Sequence, residues 1–82
     1  MKYTKEVENN VTRIVLDFVR EEKPRVADVL RQLLSDYRRS FESIVFERDN
    51  NPYDGRDGYY AEFYIRNSDN DRLERLLGKA ES

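Results

Sequence analysis

Any chemistry in this chain has to be done without histidine or cysteine, because the 82 residues contain neither. That removes the commonest general base, the commonest zinc ligand, thiolate chemistry and both histidine-based triads. What remains is carboxylate, Lys, Tyr and Ser, and in a chain this short those groups point to recognition rather than catalysis. Neither an enzyme activity nor a cofactor is expected. The cluster with most to offer is the alternation Tyr59-Tyr60-Ala61-Glu62-Phe63-Tyr64-Ile65-Arg66. In a strand, Tyr59, Ala61, Phe63 and Ile65 point one way, and Tyr60, Glu62, Tyr64 and Arg66 the other. The first set suits a core. The second, amphipathic and aromatic, suits a surface that touches something.

Two acidic clusters invite a calcium reading. An EF-hand loop needs oxygen ligands at positions 1, 3 and 5, Gly at 6 and a bidentate Glu at 12. Counting from Asp49, position 5 is Tyr53 and position 6 is Asp54; counting from Asn67, position 6 is Arg72 and position 12 is Gly78. Both fail, so no metal is expected, and turn chemistry with helix capping accounts for them. The segment Asp49–Gly58 is still longer than a hairpin needs, and long loops carry contacts. Tyr53 and Arg56 are the candidates there.

The composition bounds the partners. Lys and Arg number 15 against 17 Asp and Glu, a formal net charge of −2, with 39% of residues charged. Bulk nucleic acid needs clustered cations, which this balance lacks. No apolar run approaches membrane-spanning length and no signal-peptide core is present, so the expected setting is soluble and cytoplasmic, with no membrane. Residues 1–82 make a single domain, and one of this size buries only about 60–65% of its unfolded surface.

The elements that must position these residues follow from periodicity. Residues 1–10 admit two templates: an edge strand with Tyr3, Lys5 and Val7 alternating, or the start of a helix through Val7, Val11, Ile14, Val15 and Phe18. Crowded Val, Ile, Thr and Phe favour strand over Thr12–Val19. After a charged turn at Arg20–Lys23, Pro24 suits a first helical turn. Val26, Val29, Leu30, Leu33, Leu34 and Tyr37 then form one apolar stripe. Ser40–Arg48 and Tyr59–Arg66 read as a hairpin around the long loop. Asn67-Ser68-Asp69 offers helix caps, and Leu73, Leu76, Leu77 and Ala80 make a second stripe that Gly78 would end early. The expected fold is α+β: an antiparallel sheet of three to four strands with two helices on one face, order (β)βαββα, ferredoxin-like.

Within that order, the run from Thr12 to Val19, then Glu22-Lys23-Pro24-Arg25-Val26, then Phe41-Glu42-Ser43-Ile44, resembles ACT domains, small regulatory modules of amino-acid metabolism. The resemblance implies an amino-acid-sensing domain in which Glu22, Pro24, Arg25, Val26, Glu42 and Ser43 surround the ligand. Two features depart from the family pattern. Its turn glycine is Arg25 here, whose side chain obstructs close backbone approach. The final strand has no sequence to form it, leaving an edge for the N-terminal segment or a partner chain to fill.

The face away from the helices would carry Arg13, Val15, Asp17 and Val19 with Tyr60, Glu62, Tyr64 and Arg66; register decides whether Val45, or Ile44 and Phe46, joins them. Val15, Val19, Tyr60, Tyr64 and Arg66, with Tyr53 and Arg56 of the loop, are the candidate partner contacts, since Tyr and Arg favour interface centres. The leading functional expectation is a non-catalytic protein-binding or regulatory module acting through the open sheet face, a strand edge and the 49–58 loop. Its partner is another protein or a second copy, and a small inhibitor of a larger complex falls in the same class. An ACT-like sensor of a small amino acid is the alternative. A third reading, RNA binding, starts from Gly58-Tyr59-Tyr60-Ala61-Glu62-Phe63, which loosely resembles a strand of RNA-recognition modules. Asp57 before the glycine, with Glu62 and Asp17 on the binding face, repels phosphate, so nucleic acid is not the expected partner.

Overall fold

β-branched and aromatic residues fill Val11–Val19 and Gly58–Arg66, and in the computed structural model these runs pair antiparallel from end to end. The structure describes residues 1–50 and 55–81, without the side chains of 79–81. The elements are β1 (Lys2–Val7), β2 (Val11–Val19), α1 (Lys23–Leu34), β3 (Val45–Arg48), β4 (Gly58–Arg66) and α2 (Asn70–Glu81). The four strands form one antiparallel sheet in the order β1-β2-β4-β3. This α+β arrangement is consistent with a ferredoxin-like fold in which the N-terminal strand takes the edge otherwise held by the last strand. The helical template for residues 1–10 therefore loses, and cross-strand pairing wins.

A tight turn at Asn9–Asn10 joins β1 to β2, with the Glu8 N–H donating to the Val11 carbonyl at 2.8 Å. Neither asparagine has positive φ, so this is not the primed turn whose twist suits a hairpin. Asn67 compensates. Its Nδ2 donates to the carbonyls of Glu8 and Asn9 at 3.4 and 3.3 Å, and its Oδ1 accepts the Thr12 hydroxyl at 2.7 Å. Asn67 thus ties the far hairpin to the start of α2 instead of capping that helix.

Both helices lie on one side of the sheet. Ile14, Leu16 and Phe18 of β2 and Ala61, Phe63 and Ile65 of β4 form one core with Leu30 and Leu33 of α1 and Leu73, Leu76 and Leu77 of α2. The expected strand from Ser40 is shorter than its apolar run suggests. Phe41–Ser43 coil into a 3-10 turn and pairing starts only at Val45. Phe41 and Ile44 are both buried, and residues three apart share an inward side in a helical turn but not in a strand. Where α1 winds down, the Tyr37 hydroxyl donates to Asp69, and the Arg66 N–H donates to that hydroxyl at 2.9 Å. This contact locks the end of the first helical segment to the β4–α2 junction.

Helix α2 runs through Gly78 rather than stopping there. A Cβ at Gly78 would meet nothing within 4 Å. Gly78→Ala therefore raises stability by about 0.5–1 kcal/mol, read as the urea midpoint. Arg38, left-handed at φ 53, is the complementary case: Arg38→Gly relieves an L-residue penalty and raises the midpoint as well.

Candidate functional site

Strand register sets which side chains share the uncovered face. Arg13 lies opposite Tyr64, Val15 opposite Glu62, and Asp17 opposite Tyr60, which in turn faces Phe46 of β3. From β1, Lys2, Thr4 and Glu6 extend the same face, opposite Asp17, Val15 and Arg13. Phe46 is 50% and Tyr64 51% exposed, while Val15 and Tyr60 are half-buried between them.

Toward the β3 edge of the face, two rings and a guanidinium pack against one another. The Phe46 and Tyr60 ring centroids are 5.3 Å apart, and the Arg48 guanidinium lies 5.3 Å from the Tyr60 centroid. Arg48 crosses that ring to reach Asp17 at 3.1 Å, where the carboxylate is buried and the arginine side chain is partly exposed. Farther along, Arg13 bridges Glu62 at 3.1 Å and Glu6 at 3.7 Å. The face thus offers aromatic and aliphatic area between ion pairs that already satisfy one another.

Of the partner contacts expected from sequence, Val15, Tyr60 and Tyr64 gather on this face. Val19 sits at its end opposite Gly58 but is buried, so it contributes no contact area. Arg66 is turned to other work, its Nε and Nη2 on Asp69 at 3.2 and 3.0 Å and its guanidinium against the Tyr37 ring. Arg56 is exposed; Tyr53 lies outside the described residues. Phe46 and Arg48 were not singled out by the sequence, where the only signal was the alternation of Val45-Phe46-Glu47-Arg48 with its register open.

The six positions implied by the ACT resemblance do not form one pocket. Glu22 accepts the Val19 N–H at 3.0 Å and pairs with the Met1 ammonium at 2.7 Å. Val26 is buried in the core, and the Ser43 hydroxyl donates to the Ser40 carbonyl at 2.7 Å. Arg25 is exposed. Only Pro24 and Glu42 line a groove of about 500 Å³ between α1 and β3, and Glu42 is already paired with Arg31. Among the described residues no three acidic side chains converge to hold a metal, and no helix is long and apolar enough to cross a membrane. No protein-family model, no curated protein and no solved structure matches the chain.

Removing Arg48 strands the buried Asp17 carboxylate, so Arg48→Met costs about 1–3 kcal/mol; adding Asp17→Asn recovers most of it, as a double-mutant cycle in urea checks. The Tyr37 hydroxyl, and then Arg66, hold the Asp69 carboxyl below its usual range against opposing desolvation, and Lys5 does the same for Glu74. The unfolded chain therefore takes up these protons at higher pH than the folded one. The stability they contribute is complete above the ordinary carboxylate range and is lost as pH falls below it to the lowered values of the folded chain. Asp69→Asn lowers neutral-pH stability by about 1–2 kcal/mol and flattens the acid limb of a Tm-against-pH curve.

Proposed function

We propose that this chain is a protein-binding module whose docking surface is the sheet face that neither helix covers. The observation behind it is the pair of half-exposed rings, Phe46 and Tyr64, flanking half-buried Val15 and Tyr60. A sheet face left to water is polar in alternation with the core set, and here rings and a branched aliphatic stand at such positions. Lys2, Arg13 and Arg48 are balanced there by Glu6, Asp17 and Glu62, so the face is electrically neutral. It steers toward neither nucleic acid nor a strongly charged protein; it suits a partner of mixed charge, with a second copy the simplest.

Strands about 4.8 Å apart, the inner two of nine residues and the outer two of six and four at about 3.3 Å each, give a face of roughly 450 Å². That falls below the ~800 Å² per partner of a standard interface, so the association is of the weak, reversible class. Less supports an amino-acid sensor, because Glu22, Glu42 and Ser43 are occupied by the chain's own groups. Sedimentation velocity over a wide concentration range tests the proposal. The wild-type chain is expected to shift toward dimer, and Phe46→Ser with Tyr64→Ser to remain monomeric while keeping its fold, since both rings are half in water. A wild-type chain that stays monomeric calls for photo-crosslinkers at positions 46 and 64 in the native host. Failure of those positions to capture more protein than a crosslinker at Glu21 overturns the proposal.

A further inference from the structure

The two edges of the sheet are built differently. At β1, α2 closes over the strand: Lys5 Nζ reaches Glu74 at 2.8 Å and the Tyr3 hydroxyl donates to the same carboxylate at 3.4 Å. At β3, α1 stands back, and the groove of about 500 Å³ runs alongside the strand. Ala27, Phe41, Val45 and Tyr59 are among the residues that line it.

Ladder parity decides what the β3 backbone presents there. The Glu62 N–H donates to the Ile44 carbonyl at 3.3 Å, which makes Phe46–Tyr60 and Arg48–Gly58 the residue pairs that exchange hydrogen bonds. The N–H and C=O groups of Val45 and Glu47 therefore point away from the sheet. Among the described residues no other strand takes them, since β3 pairs with β4 alone. Val45 and Glu47 are also the two β3 residues whose side chains line the groove. Unpaired backbone and an apolar trough thus coincide at one place.

The charges around the trough define what would fill it. Arg31 is neutralised by Glu42, and Lys23 lies over the Tyr59 ring at 4.4 Å from its centroid. Asp28 and Glu47 also line the groove, and among the described residues neither carboxylate has an ion-pair partner. We infer that this edge and groove take an extended segment of a partner polypeptide as an added antiparallel or parallel strand, a segment in which a small aliphatic residue lies between lysines or arginines. Main-chain hydrogen bonds to Val45 and Glu47 supply the attachment, the aliphatic side chain enters the trough, and the cations answer Asp28 and Glu47. The inference rests on the reading of the chain as a protein-binding module, but not on the open face, which lies on the other side of the sheet.

A short end-blocked peptide alternating lysine and valine is the probe, followed by NMR on the full chain. Saturable binding is expected, with slowed hydrogen exchange at the Val45 and Glu47 amides and a shifted Ala27 methyl signal. Replacing the peptide lysines with glutamates weakens binding at least about fivefold, and N-methylating the strand-facing peptide amides removes it. Glu47→Lys with Asp28→Lys, both at exposed positions, reverses the charge preference. Unchanged exchange at Val45 and Glu47, or undiminished binding of the N-methylated peptide, overturns the inference. The Phe46→Ser, Tyr64→Ser variant separates the two surfaces: it retains peptide binding if the groove is the site, and its loss of peptide binding assigns the peptide to the open face instead.

Discussion

The pairing of β2 with β4 is the constraint on which the rest of the molecule depends. Nine residue pairs in continuous antiparallel register, from Val11–Arg66 to Val19–Gly58, fix which face each side chain occupies. A slip of one residue would send Ile14, Leu16 and Phe63 into water and draw Arg13, Glu62 and Tyr64 beneath the helices. The cost of that exchange is what holds Tyr60, Tyr64 and Val15 together on the uncovered side. Phe46 and Arg48 inherit their places, because β3 takes its own register from β4.

The polar ties act at the periphery of this frame and decide orientation rather than bulk stability. Asn67 gathers the β1–β2 turn through Glu8, Asn9 and Thr12. Tyr37 gathers Arg66 and Asp69. Both hubs meet at the β4–α2 junction, so the exit of β4 and the entry of α2 are fixed from two directions by single side chains. Arg72 adds a third tie, donating to the Gln32 carbonyl of α1 at 2.8 Å and pairing with Asp36.

Much of the architecture was legible in the residues. The apolar stripe from Val26 to Leu34, the alternation of Tyr59 to Arg66 and the β-branched run in β2 each carry one dominant period, and each forms the element that period implies. The strand before Val45 was not legible, because Phe41 and Ile44 are apolar in a way that fits a strand locally and a 3-10 turn only once the core is present. Gly78 misled for the opposite reason: a glycine weakens a helix but does not end one whose Leu73, Leu76 and Leu77 are anchored. In the candidate site, Tyr60 and Tyr64 could be placed from alternation alone. Phe46 could not, since its face depended on a register that only pairing across the long loop defines. Arg66 and Val19 had the correct strand parity, yet neighbouring groups had already claimed one and buried the other.

The position of β1 bears on how the chain assembles as it is made. In the usual ferredoxin-like order an edge strand arrives last and must find its place beside the first one across the whole domain. Here the four strands of the described residues precede α2 along the chain, and β1 meets its neighbour across a turn of a few residues. Once Arg66 has left the ribosome, the pairings β1–β2, β2–β4 and β3–β4 can all form. Of the described elements, α2 alone then remains to dock.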